Sequence, residues 1–311
     1  QSKQFPFQQA FLAYNSLVRS GNYDADAMVN AAQNLTLAEL QSTVAQVLAN
    51  NQLRIFAFGN YDKTALQQVV TTVAAALPAK RSEQPYSRTA FWLPKPGQVL
   101  VVQKDIDVAD VALVDMHIHP EPSYNQLARA TVLRSHFSNI AFDKLRTEEQ
   151  LAYAVGGTSM QLEDYVGFAM YIQTPVKGVA DMQARFDSFK QQYAAELDKL
   201  TEDDFAKLKA SALITLKEPA KNLREEVGPL INDWYREKFS FDSKQRLIDA
   251  VEQVTLADVK AFYRETMLNA DAARISVQMR GTKFRDQPFA DLPGQTKVTD
   301  VAAFHRQMKR Q

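Results

Sequence analysis

Arg146 and Tyr153 share one short run, Leu145-Arg-Thr-Glu-Glu-Gln-Leu-Ala-Tyr-Ala-Val155, where a helical pattern gives way to a strand-like one. A guanidinium and a phenol held at such a junction can grip a peptide carbonyl or donate to an oxyanion as it forms. Neither group cleaves an amide unaided, and the chain offers little else to finish a hydrolysis. There is no Cys among the 311 residues, which excludes thiol catalysis, disulfides and thiolate metal sites. Read from spacing alone, Arg146 pairs most simply with Glu148, Glu149 or Asp143 at a helix end. Tyr153, on the same plain reading, is a half-buried strand aromatic.

Two other groups bear on metal chemistry. His117-Ile-His119 puts two imidazoles on one face of a strand, a spacing that can hold zinc if Asp115, Glu121 or His136 supplies a third ligand. The plainer reading sets both on an exposed face at a strand end, just before Pro120. His136 opens His-Phe-Ser-Asn-Ile on a helix. The inverted zinc motif H-x-x-E-H needs its Glu and second His where this chain has Asn139 and Ile140, so that motif is excluded. His136 then reads as a partly buried structural residue, and Trp92 and Trp234 as packing residues.

The elements that must carry these groups follow from periodicity. Val-rich alternating runs at 98–105 and 108–119 read as two strands joined in a hairpin. Ser123 opens a helix running to about Lys144. The runs 151–159 and 165–174 make a second strand pair around Gln161-Leu-Glu-Asp164. Val179, Met182, Phe186, Phe189, Tyr193 and Leu197 form the apolar stripe of the next helix. Thr201 caps another, carrying Phe205, Leu208, Ala212 and Leu216. Helices near 221–239, 243–252 and 255–267 precede a closing strand, and the tail from Thr282 reads as extended. Strand pairs followed by a block of helices give an α+β class, with helices packed on one face of a mostly antiparallel sheet.

Part of this pattern is duplicated. Tyr23-Asp24, Thr36-Leu-Ala-Glu-Leu40 and Arg54-Ile-Phe-Ala-Phe-Gly59 recur as Phe241-Asp242, Thr255-Leu-Ala-Asp-Val259 and the run from Arg274 to Gly281. Each copy reads as a helix, a Thr-capped helix and a strand closed by Gly. The first copy has little chain upstream of it, and a lone strand at 53–58 is unstable without partners. Residues 1–77 therefore read as the C-terminal part of an incomplete α+β domain. Pro78–Gly97, with four prolines, reads as a linker, and 98–311 as a complete homologous α+β domain with a C-terminal tail. The start at Gln1, without Met, points to a processed or truncated N-terminus. Lys+Arg and Asp+Glu both number 36, which argues against a nucleic-acid partner. No apolar run reaches the ~20 residues of a membrane span; the best, Val69–Leu77, is short and broken by two Thr.

Leu145–Val155 closely resembles a segment of the pitrilysin and insulin-degrading-enzyme family of inverted-motif zinc peptidases. The usual family form is Leu-Arg-Thr-x-Glu-Gln-Leu-Gly-Tyr, and Ala152 stands here where Gly is usual. Leu53–Asn60 is similar to the strand that ends the family's third domain, while Lys217-Glu-Pro219, Tyr235 and Phe241-Asp242 recur in its fourth. The resemblance thus runs from about residue 5 to residue 281. It implies four related α+β domains in two halves that close around a chamber, with 1–77 ending the third domain and 98–311 forming the fourth. It implies zinc and the general base in the N-terminal half, absent from this chain. On the same grounds Arg146 grips substrate carbonyl or carboxylate groups and Tyr153 donates to the oxyanion. Ala152 in place of Gly bears on how closely the substrate backbone approaches.

The expectation is the C-terminal, non-zinc-binding half of a zinc metalloendopeptidase, inactive alone. Its partners would be peptide substrates and the zinc-bearing N-terminal half, in the same protein or in a separate chain. The rivals are a non-catalytic clamp subunit of a separate zinc-bearing chain, and a small metal-dependent hydrolase built on His117 and His119. Similarity to periplasmic bacterial members implies a periplasmic or secreted setting, and otherwise a cytoplasmic one.

Overall fold

A strand buried on both faces must be covered on both faces, and the runs Val111–Ile118, Tyr165–Thr174 and Ala273–Arg280 are buried in this way along most of their length. The computed structural model describes residues 5–23, 25–49, 52–77 and 91–308. In chain order the strands are β1 (Val99–Asp105), β2 (Val111–Ile118), β3 (Ala154–Leu162), β4 (Tyr165–Thr174), β5 (Ala273–Arg280) and β6 (Gln295–Lys297). The helices are α1 (Pro6–Val18), α2 (Ala25–Asn34), α3 (Leu37–Ala49), α4 (Lys63–Ala76), α5 (Tyr124–Ala141) and α6 (Val179–Lys199). They continue with α7 (Glu202–Lys217), α8 (Leu223–Tyr235), α9 (Ser243–Gln253), α10 (Leu256–Tyr263) and α11 (Val301–Gln307). Two wider π-helical segments, Phe142–Glu148 and Arg264–Leu268, extend α5 and α10.

The α+β class holds. The six strands form one sheet in the order β3-β4-β2-β5-β1-β6. The pairings β3 with β4, β4 with β2 and β2 with β5 are antiparallel, while β5 with β1 and β1 with β6 are parallel. β1 and β2 are therefore not the hairpin their spacing predicts, because β5 lies between them. Their connection arches over the end of β5, where Ile106 N donates to Arg280 O and Thr282 N donates to Val108 O. Gly281 is needed at that crossing: a Cβ there would stand 2.2 Å from Asp110 O and 2.3 Å from Ala109 O. The tail is not extended throughout, since it adds β6 beside β1 and ends in α11.

The alternation of side chains sorts the two cores. Leu113, Phe168, Met170 and Ile172 face one side, where Phe137 of α5, Phe186 and Tyr193 of α6 and Phe262 of α10 cover them. Leu100, Val114, Met116, Ile275 and Val277 face the other, against Ala10, Tyr14 and Leu17 of α1. The helices are thus not confined to one face, because a sheet apolar on both sides needs a second cover and α1 supplies it.

Two compact units result: Gln1–Asp24 with Ala90–Glu218 and Lys244–Gln311, and Ala25–Thr89 with Pro219–Ser243. These divisions do not coincide with the expected boundaries, for α1 joins the sheet and residues 219–243 join the smaller unit. Of the expected linker, 78–90 lie outside the described residues. Its last part is tied to the sheet unit, where Trp92 N donates to Val18 O and Trp92 and Leu93 are buried.

In the smaller unit, Thr36 Oγ1 accepts from Glu39 N and the Glu39 carboxylate accepts from Thr36 N, a capping box at the start of α3. Thr255 and Asp258 repeat the device at α10. Residues 53–58 form no ladder with any described residue, unlike their counterpart β5; Phe56 instead packs its ring on Trp234 and Phe241.

Candidate functional site

Ser123 caps α5 through its hydroxyl, which accepts from Asn125 N at 3.1 Å. The helix then widens into the π segment, a form often met at functional sites. Two bonds end it: Glu149 N donates to Lys144 O at 3.0 Å, and Leu151 N donates to Leu145 O at 2.8 Å. Between them Gln150 takes a left-handed conformation, with φ of 53°. A Gln there is strained, since its Cβ crowds the backbone where Gly is the usual residue. Leu145 and Leu151 are buried in the core on either side of this turn and anchor it.

Arg146 follows the first anchor and Tyr153 lies just beyond the second. Arg146 is exposed, with its guanidinium carbon 4.7 Å from the centroid of the Phe142 ring. The salt bridges read from spacing do not form: Asp143 makes no ion pair with any described residue, and the two glutamates are engaged elsewhere. Glu148 takes Lys144 at 2.6 Å, and Glu149 takes Nε and Nη2 of Arg185 at 2.9 and 2.6 Å. The hydrogen bonds from Arg185 hold the Glu149 carboxyl below its usual range, against its partial burial.

Tyr153 is not half-buried in a strand. It precedes β3, its N–H donates to Gln173 O at 3.1 Å, and its side chain is 63% exposed. Neither Arg146 nor Tyr153 makes a side-chain hydrogen bond or ion pair with any described residue. A cleft of about 480 Å³ between α5 and α6, lined by Ile140, Asp143, Lys144, Phe189, Tyr193 and Glu196 among others, is separate from both.

The histidines go elsewhere. His117 and His119 do not sit on an exposed face; they are 5% and 2% exposed. His117 Nε2 is 3.4 Å from Asp115 Oδ2 and 3.2 Å from Lys190 Nζ. His119 Nδ1 accepts from Glu121 N, its ring stacks on Phe262, and its Nε2 lies 3.2 Å from Glu265 Oε2. His136 Nδ1 is 2.7 Å from the Tyr193 hydroxyl. Among the described residues no group of three or more His, Asp or Glu side chains is arranged to hold a metal ion.

Sequence reasoning missed a buried charge cluster on the α6 side of the sheet. Asp115 accepts from Arg274 Nε and Nη2 at 2.7 and 2.8 Å and from Lys190 Nζ at 3.1 Å. Asp187 receives Lys190 at 2.8 Å and Arg274 at 3.1 Å. Burial alone would raise the Asp115 carboxyl, but Arg274, Lys190 and His117 outweigh it and hold that group well below the usual carboxylate range. Burial pushes the His117 imidazole down to about 4, only partly opposed by Asp115. The available signal was an Asp inside an otherwise apolar strand, in Val111-Ala-Leu-Val-Asp-Met-His-Ile118.

Residues 132–231, which include both Arg146 and Tyr153, match the family model of the PQQ synthase PqqF-like C-terminal lobe, domain 4. By sequence and by fold the chain is similar to the C-terminal half of pitrilysin-like peptidases. In particular, Protease 3 of Escherichia coli (strain K12) is 21% identical over 303 residues, which cover 97% of this chain and 31% of that protein. The crystal structure of pitrilysin superposes with a TM-score of 0.86 at 20% identity, covering 99% of this chain and 33% of that one. A peptidase M16 inactive domain from Pseudomonas fluorescens gives 0.57 at 17% identity, covering 94% and 68%. At such identities the superpositions establish the fold. The chain spans about a third of the length of the curated relatives it matches.

Proposed function

We propose that this chain is the C-terminal half of a zinc metalloendopeptidase, inactive alone, which binds the substrate backbone and stabilises the oxyanion. In descent, residues 1–77 would end one family domain and 98–311 would form the next. The observation that carries the reading is the presentation of Arg146 and Tyr153. Both side chains are exposed, neither has a hydrogen-bonding partner among the described residues, and both are anchored by buried leucines across one strained turn.

Polarisation of the scissile carbonyl and activation of water would come from zinc held in the N-terminal half. Arg146 brings five N–H donors in a rigid fork, suited to a peptide carbonyl or a terminal carboxylate. Tyr153 brings one O–H, aimed at charge that develops only in the transition state. Free hydroxyl and guanidinium groups need no internal bond to be broken before they donate to a ligand. A separate clamp subunit would use the same surface, but binding alone has no use for a phenol that donates to developing charge.

The natural partners in this reading are the zinc-bearing half, in the same protein or another chain, and peptide substrates. No helix among the described residues is long and apolar enough to cross a membrane, and a periplasmic setting is proposed from the resemblance. The test is Tyr153→Phe in the complete two-half enzyme. Loss of the donor should lower kcat by about a hundredfold while KM changes far less. Wild-type kinetics in the variant would remove Tyr153 from the chemistry and leave the clamp.

A further inference from the structure

Phe142 opens the π segment, and its ring is 40% exposed at a point where its neighbours Ala141 and Leu145 are wholly buried. The ring lies beneath the Arg146 guanidinium, four residues on, at 4.7 Å from centroid to Cζ. Residues at that spacing share one face of a helix, so the stack is built into the local backbone. The acids within reach do not compete: Glu148 is held by Lys144, Glu149 by Arg185, and Asp143 makes no ion pair with any described residue.

The difference between a stack and a salt bridge matters here. A carboxylate partner would occupy the N–H donors of Arg146, whereas an aromatic face attracts the cation as a whole and leaves the donors available to a ligand. A stack also restricts a side chain that otherwise loses considerable rotamer freedom on binding. Granted that Arg146 binds substrate, as proposed above, we propose that Phe142 is a positioning residue that presents the Arg146 guanidinium to the substrate.

The experiment is a double-mutant cycle on peptide hydrolysis by the complete two-half enzyme. It compares wild type, Phe142→Leu, Arg146→Ala and the double variant, with Phe142→Tyr as the conservative replacement. Phe142→Leu should lower kcat/KM about two- to fivefold, mainly through KM, the factor an exposed cation–π contact of ordinary strength is worth. Phe142→Tyr should stay near wild type. In the Arg146→Ala background, Phe142→Leu should change nothing further. Additive losses would mean that Phe142 touches substrate on its own account and would overturn the proposal, as would wild-type kinetics for Phe142→Leu. Wild-type kinetics for Arg146→Ala would instead overturn the substrate-binding role beneath it. If Phe142→Leu lowers the melting temperature, Phe142→Met, which keeps the bulk and loses the π face, takes its place in the cycle.

Discussion

Acidified to pH 5, a His117→Gln variant should lose about 2 kcal/mol less stability than the parent chain, each measured against its own value near pH 7.5. The cause is the burial of His117 beside Asp115 and Lys190, with Arg274 and Asp187 completing the cluster. Burial lowers the imidazole from 6.5 to about 4, so the folded ring stays neutral where an exposed one is charged. In the unfolded chain the same ring takes up its proton at the ordinary value. A folded value below the unfolded one means that this stability is complete above about pH 6.5 and drains as pH falls toward 4. From 6.5 to 5 is about 1.5 units, and at ~1.4 kcal/mol per unit the loss is about 2 kcal/mol.

Glutamine cannot bind the proton, so its chain lacks this component of the pH dependence even if it is less stable throughout. Urea unfolding followed by Trp92 fluorescence in a Trp234→Phe background reads the sheet unit, in which Trp92 is buried. Midpoints and slopes at several pH values between about 5 and 7.5 give the two curves. Parallel curves would refute the claim that His117 is buried neutral, and with it the account of the cluster.

Two further outcomes concern the same unit. Asp115→Asn should destabilise by about 3 kcal/mol, because it leaves Arg274 and Lys190 buried around a neutral amide; a urea midpoint near that of the parent would show that the carboxylate is not what holds the cluster. Gln150→Gly should stabilise by roughly 1 kcal/mol by relieving the left-handed backbone, read as a raised urea midpoint at unchanged slope, and a lowered midpoint would mean that the Gln side chain holds the turn.

Much of the helical layer was legible in the sequence, because helices such as α6 carry their own periodic stripe and others, such as α7 and α10, their own cap. Phe186, Phe189 and Tyr193 are buried as their spacing requires, and Thr201 and Thr255 cap where their positions predict. The strand neighbours were not legible. Alternation tells which side chains share a face but not which strand lies alongside, so the intrusion of β5 between β1 and β2 left no local mark. The same limit hid the charge cluster, whose members Asp115, Lys190 and Arg274 meet only once the sheet and α6 are assembled. Arg146 and Tyr153 stood out through a resemblance. Their presentation depends on a π segment and a left-handed Gln150, and neither leaves the Gly or Asn signal by which such backbones are usually recognised.

The interposed β5 also orders events in time. Val99 of β1 pairs with Arg274, and Ala112 of β2 pairs with Met279, so the sheet has no middle until β5 has been made. Until then a nascent polypeptide holds a three-stranded β3-β4-β2 sheet and a stranded β1, both with open edges and apolar faces. Such edges recruit other chains, and sheets closed by distant segments form slowly. A chain interrupted after α10 would be inclined to aggregate, and the arrival of β5 between β2 and β1 ends that exposure.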